Sequence, residues 1–181
     1  MDDPFAGDLV TLRPIATDDG DDLASYLNEP GMRGLRQMEQ DPLAPLSTKA
    51  LDNAVADWSD PKHGLALVVS PAGEDVIVGH IVGEWRWDAH SPFVGVSIAP
   101  RHRRRGYGSG ALDLMLTLLF EQTVAHTVQA WTPSWNDAGI AFLEATGFRP
   151  AGAIRRAGRR GGRWYDEVAF DQLKREWEAR R

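Results

Sequence analysis

The apolar residues of this chain follow two spacings in turn, and the switches between them mark its elements. Leu9-Val10-Thr11-Leu12-Arg13-Pro14 predicts a first strand. Thr17-Asp18-Asp19 supplies a helix start with acidic residues where the helix dipole favours them, and Leu23, Tyr26 and Leu27 recur at helical steps behind it. Asn28-Glu29-Pro30 breaks that helix, and Met32 to Met38 predicts a short second one. Pro42 and Pro45 mark a loop, and Leu51, Val55 and Trp58 form the apolar stripe of the next helix. Gly64 to Ser70 and Val76 to Trp87 read as strands on either side of a turn at Pro71 to Asp75. Tight connections join them to each other and to the strand after Pro92, which predicts an antiparallel meander.

The most informative stretch runs from Phe93 to Phe120. Val94, Val96 and Ile98 alternate with Gly95, Ser97 and Ala99, a period of two that Pro100 ends. Arg101 to Arg105 is basic apart from His102, and Gly106-Tyr107-Gly108-Ser109-Gly110 follows. From Ala111 the spacing is helical, through Leu112, Met115, Leu116, Leu119 and Phe120. Thr127 to Trp131 predicts another strand. Asn136 opens a helix through Ile140 and Leu143, and Gly147 suits its C-terminus. Arg149 to Arg159 and Trp164 to Phe170 predict a hairpin turning at Arg160-Gly161-Gly162-Arg163. Asp171 to Arg181 predicts a charged terminal helix with Leu173 and Trp177 on one face.

Composition narrows the classes. The 181 residues are 43% hydrophobic, enough for a core in one domain spanning 1–181. No stretch approaches the roughly 18 apolar residues of a membrane span. The acidic N-terminus lacks the layout of a signal peptide. With no cysteine there is no disulfide framework and no thiolate chemistry, and the cytoplasm is the expected compartment. The net charge of −6 argues against a general nucleic-acid binder. Its distribution is uneven: residues 1–90 carry 17 acidic and 6 basic side chains, residues 91–181 carry 9 and 14. Such a chain suits an anionic ligand on its second half and a cationic one on its first. A merely solubilising acidic surface gives the same count.

The turn after Pro100 is chemically suited to an anion. Glycine lets a backbone approach a ligand closely, and the first amides of a helix lack internal partners. The helix dipole and adjacent arginines add positive charge, so a pyrophosphate is the natural guest. Ala111-Leu112 is not the Lys-Ser/Thr pair of a Walker loop. Gly106-x-Gly108-x-Gly110 does not have the spacing of the dinucleotide fingerprint. Arg103-Arg104-Arg105-Gly106-Tyr107-Gly108 does match R/Q-x-x-G-x-G/A. The segment resembles the acetyl-CoA-binding motif of the GNAT acetyltransferases, in particular the branch that acetylates ribosomal-protein N-termini. The Leu-x-Leu-Arg-Pro phrase at the start and the Asn136 to Gly147-Phe148 passage are similar to other signatures of that family.

The resemblance implies an α/β (α+β) fold: a twisted, mostly antiparallel sheet of about seven strands with helices on both faces. It implies acetyl-CoA as co-substrate and no metal. The amides of Val96, Ser97 and Ile98 would face the pantetheine, which adds like a strand to the gap beside them. Arg103, Arg104, Arg105, Gly106, Tyr107, Gly108, Ser109 and Gly110 would hold the pyrophosphate, and Asn136 would touch the pantetheine. The region from Asn28 to Gln37 would wall the acceptor site. The acceptor would be a small amine, such as an antibiotic or polyamine, or a protein N-terminus. The acidic first half tilts the choice toward the small amine. A homodimer is possible in this family; nucleic acid and membrane are not expected partners. Salt-sensitive duplex binding by Arg101 to Arg105 would be the sign of the nucleic-acid alternative.

Amine acetylation needs a proton acceptor, donors for the thioester oxygen and a proton for the leaving thiolate. The chain departs from the family where acid and base are concerned. Ser91, Pro92 and Phe93 stand where many members carry a glutamate, Leu143 where many carry a tyrosine, and Gly139 where the N-terminal branch often carries a serine. The candidate catalytic residues are therefore Glu84, Ser134 and Asp166, with Asp166 serving either the acceptor or the hairpin. His80 lies in an apolar strand and reads as a core residue before it reads as a base. Trp85, Trp87, Trp135 and Trp164 read first as packing, and otherwise as a cation–π wall for the acceptor. Vacant acid and base positions also fit a CoA-binding sensor with little turnover.

Overall fold

Alternating residues with one apolar face become strands only where partners accept their backbone groups, and register sets where each strand here stops. The computed structural model describes residues 3–29, 31–32, 45–58, 62, 64–85 and 87–181. Seven strands form one sheet in the order β1-β2-β3-β4-β5-β7-β6. They are β1 (Val10–Pro14), β2 (Gly64–Pro71), β3 (Gly79–Glu84), β4 (Phe93–Ile98), β5 (Thr127–Pro133), β6 (Arg149–Arg160) and β7 (Arg163–Leu173). Every neighbouring pair is antiparallel except β4 with β5. Among the described residues five helices accompany it: α1 (Gly20–Leu27), α2 (Thr48–Trp58), α3 (Tyr107–Gln122), α4 (Asp137–Ala145) and α5 (Lys174–Glu178).

Two apolar clusters, one on each side of the sheet, account for this layering. On one side Leu112, Met115 and Phe120 of α3 pack with Leu67, Val69, Ile81 and Val94 of the sheet, joined by Leu143 of α4 and Trp177 of α5. On the other side Leu23, Tyr26 and Leu27 of α1 and Leu51 and Val55 of α2 cover Ala66, Val68 and Ala99. Both faces of the strands between them are buried, so β2 reads as a continuous apolar run.

Several expected boundaries move. The strand expected over Val76 to Trp87 is only Gly79–Glu84, because Gly64, the first residue of β2, already faces Glu84. The terminal helix shrinks to Lys174–Glu178, because β5 pairs with β7 out to Thr127↔Leu173 and holds 171–173 extended. The long helix starts at Tyr107 and not at Ala111. The hairpin is longer than expected and turns on Gly161-Gly162, both at positive φ, as a tight two-residue connection requires. Of the helix expected at Met32 to Met38 only Met32 is described, and it is buried; residues 33–38 and the side chain of Trp58 lie outside the described residues.

Candidate active site

The site begins with a fault in the sheet. β4 and β5 share a single register pair, Phe93↔Gln129, and then part. The Gln129 amide donates to Pro92 O at 2.8 Å, which places the closed end of the gap there. Four residues further on, Ser97 and Pro133 stand level on opposite sides of the open end.

Parity decides which groups of β4 face this gap. The Ala99 amide donates to Val78 O at 2.9 Å, on the β3 side. Amides alternate along a strand, so Ser97 also spends its backbone on β3, opposite His80, while Val96 and Ile98 turn theirs into the gap. Of the three expected pantetheine contacts, Val96 and Ile98 turn their backbone to the gap and Ser97 turns its backbone to β3. The Ile98 carbonyl is reached from the elbow, where Arg103 Nε donates to it at 3.0 Å.

The basic elbow hands the chain from β4 to α3. Pro100–His102 forms one 3-10 turn, and Arg104 (φ 62) and Gly106 (φ 84) take left-handed backbone angles. A Cβ at Gly106 would lie 2.8 Å from Leu9 Cδ2, the tip of an exposed side chain that can move aside, so it is the left-handed angle that calls for glycine there. Gly106 is the N-cap of α3 and supplies no side-chain cap, and its carbonyl takes the Gly110 amide at 2.9 Å. The amides of Tyr107, Gly108 and Ser109 are the ones left without a helical acceptor. A Cβ on Gly108 would meet Ile98 Cγ1 at 3.4 Å and Phe142 at 3.5 Å, so this first turn packs against the end of β4 and against α4. Arg104 and Arg105 are exposed beside it. Charged oxygens placed here would meet three amides, a helix dipole and two guanidinium groups.

Across the gap, β5 ends in Pro133-Ser134-Trp135-Asn136. Asn136 caps α4: its Oδ1 accepts the Gly139 amide at 3.2 Å, and its Nδ2 donates to Thr132 Oγ1 at 2.9 Å. A Cβ at Gly139 would stand 2.2 Å from Asn136 Nδ2 and 2.9 Å from Thr132 Oγ1. The serine of the related branch therefore has no room while Asn136 folds back on Thr132.

The three catalytic candidates are not brought together. Ser134 and Asp166 meet: the Ser134 amide donates to Asp166 O at 2.8 Å, and the Asp166 amide donates to Ser134 Oγ at 3.1 Å. The Asp166 carboxylate accepts the Arg156 amide at 2.8 Å. Arg156 stands at φ 53 in a bulge where β6 carries extra residues between Ile154 and Gly158. Asp166 thus braces the hairpin, one of the two roles expected of it. Glu84 sits on β3, half-buried opposite Phe93, level with the closed end of the gap but on the far side of β4 from it.

His80 is a core residue. Its Nδ1 lies 2.6 Å from the Tyr26 hydroxyl, and burial drives its pKa down to about 4, so the ring is neutral. The same burial pushes the Tyr26 phenol up. The four indoles divide. Trp85 packs against the core and Trp87 is 91% exposed. Trp135 and Trp164 already carry arginines of this chain: Arg160 lies 3.8 Å from the Trp135 ring centroid and Arg159 lies 5.8 Å from that of Trp164.

Sequence reading missed two ties around the gap. The Arg101 guanidinium pairs with Glu29 at 3.2 Å, and that of Arg103 reaches Met32 Sδ, so the elbow is fastened to the chain just beyond α1. No spacing rule links residues 72 positions apart. The Thr132-Asn136-Gly139 cluster was partly visible as an Asn followed by a glycine in the first helical turn.

The sheet thus opens beside a helix N-terminus and a basic turn, an arrangement whose free amides and guanidinium groups suit an anion. Residues 10–149 match the family model described as acetyltransferase (GNAT) domain. The chain belongs to that GNAT acetyltransferase family. It is 27% identical over 104 residues to the uncharacterized N-acetyltransferase YnaD of Bacillus subtilis, a match covering 58% of this chain and 61% of that protein. The spermidine N-acetyltransferase of Vibrio cholerae, solved with CoA and spermine, superposes with a TM-score of 0.80 at 18% identity, over 93% of this chain and 98% of that one. The ribosomal-protein-S5-alanine acetyltransferase of Vibrio fischeri gives 0.75 at 18% identity, over 96% and 97%. At that identity these likenesses speak for the fold. Among the described residues there is no helix long and apolar enough to cross a membrane and no cluster of metal-ligating side chains.

Proposed function

We propose that this protein transfers the acetyl group of acetyl-CoA to a primary amine. The observation that carries the reading is the β4–β5 gap, with the backbone of Val96 and Ile98 turned into it and the free amides of α3 at its mouth. The diphosphate of the donor lies on Tyr107, Gly108 and Ser109 with Arg104 and Arg105 around it. Its pantetheine arm runs along Val96 and Ile98 and reaches Asn136 on the opposite bank.

The free amine attacks the thioester carbonyl carbon, a C–N bond forms, and the C–S bond breaks as the carbonyl re-forms. A β4 amide facing the gap stabilises the carbonyl oxygen as its charge grows. The ammonium proton leaves through water toward Glu84, half-buried on β3 beyond the closed end of the gap. Ser134, exposed at the open end, keeps its hydroxyl proton free while its Oγ accepts from Asp166, and can protonate the departing thiolate. Asp166 positions Ser134 and the hairpin; it is not assigned a proton.

Incubation with acetyl-CoA and a panel of primary amines, read by release of free thiol, tests the proposal. Amine-dependent thiol release is the expected result. CoA bound tightly with no release from any amine would instead assign the protein a sensing role.

A further inference from the structure

The β6–β7 hairpin is the most strongly charged feature outside the gap. Between Glu144 and Asp166 there is no acidic residue, and six arginines stand between 149 and 163. Only Arg149 has a carboxylate partner among the described residues, Glu176 at 3.1 Å. Arg155, Arg156, Arg159, Arg160 and Arg163 are all exposed. Arg160 and Arg163 face each other directly across the strands, an arrangement of like charges that destabilises a hairpin. In a chain of net charge −6, a concentration of this kind at one edge calls for an anion to offset it.

The hairpin also stands at the open end of the gap. The Asp166 backbone is bonded to Ser134, and Arg160 lies on the ring of Trp135, next to Asn136. The carboxylates nearby are in part occupied: Asp166 holds the Arg156 amide and Glu29 holds Arg101, while Glu167 stands half-buried opposite Pro133 and Asp137 stays exposed. A polycation approaching this end would meet guanidinium groups from the elbow and from the hairpin.

We infer that the hairpin is a docking arm for an acidic segment, and that the acceptor of this site is the N-terminal amine of an acidic peptide or protein. The inference rests on the acetyl-transfer reading for the amine and on the hairpin alone for the acidic segment. The peptide N-terminus enters the gap beside Ser134, and the carboxylates that follow it lie along Arg160 and Arg163, which share the face of the hairpin that meets Trp135. Two bulges, at Pro150/Gly152 and Ile154/Gly158, interrupt β6 and blunt it as a template for strand addition, so recognition runs through side chains. The surplus of acidic residues in the first half suggested a cationic small amine; the placement of the arginines favours the opposite charge.

The test separates binding from chemistry. Two labelled peptides share their first residues and continue with glutamates in one and glutamines in the other. Their affinities for the CoA-loaded protein are read by fluorescence anisotropy, and thiol release is followed separately. The expected result is a roughly tenfold preference for the glutamate peptide at low ionic strength, lost when salt is raised. Arg160→Glu with Arg163→Glu should abolish the preference, the glutamate peptide losing most of its affinity and the glutamine peptide far less. The corresponding lysine variants should retain most of it. Equal affinities in the wild type, displacement of the glutamate peptide by spermidine, or preferential capture of a single-stranded RNA would each overturn the inference. Preference without thiol release would overturn the acetyl transfer and leave the docking arm standing.

Discussion

Asn136 shows how one side chain can hold two assignments. Its amide group caps α4 through Gly139 and ties back to Thr132, and both contacts need the space that a glycine leaves. Gly139→Ala must displace that side chain, and should cost about 1–3 kcal/mol in chemical denaturation. Asn136→Ala should cost only about 1 kcal/mol, the worth of a cap, yet weaken acetyl-CoA binding measured by calorimetry. An affinity unchanged in Asn136→Ala would confine the residue to capping. The glycine could be read from the sequence only as a departure from the related branch; that it is the counterpart of a folded-back asparagine needed coordinates. Ser97 is a similar case. Periodicity places it in the strand, but only register shows that its amide belongs to β3.

At the scale of elements, the turn from β4 to α3 was legible in outline because arginine, glycine and helical periodicity are local signals. Its detail was not. Gly108, Ser109 and Gly110 weaken helix propensity, which hides the first turn, yet the helix starts at Tyr107 because α3 is held by packing on the sheet. Arg104→Glu with Arg105→Glu should lower acetyl-CoA affinity at least about tenfold, with little change in melting temperature, since both side chains are exposed. Gly106→Ala should lower both affinity and stability, by about 1–2 kcal/mol for the left-handed angle alone. The contrast between these variants separates lost charge from lost geometry. The hairpin shows the limit of local reading: the sequence places two strands and a glycine turn, but the bulge held by Asp166 and the stacking of Arg160 on Trp135 depend on β5 arriving beside it.

The whole molecule responds to pH through groups its fold has buried. His80 titrates near pH 6.5 when unfolded and at about 4 when folded, so the unfolded chain binds the proton first. Stability should therefore be full above pH 6.5 and fall by up to about 3 kcal/mol as pH drops to 4. Asp19 acts below that window. Arg13 and the Ala16 amide hold its carboxyl under the ordinary value of 3.8, so its contribution is present above 3.8 and lost as pH falls through the lower, folded value. Urea titrations across pH should show both phases, and Tyr26→Phe with His80→Leu should remove the upper one only. The sequence by itself determined the elements and the family, because periodicity, turn residues and the arginine–glycine elbow act over short spans of chain. The tertiary structure alone decided which backbone groups stay unpaired, since a hydrogen bond depends on what stands alongside. The parting of β4 from β5, the separation of Glu84 from Ser134 and the gathering of arginines at the mouth are all facts of that kind.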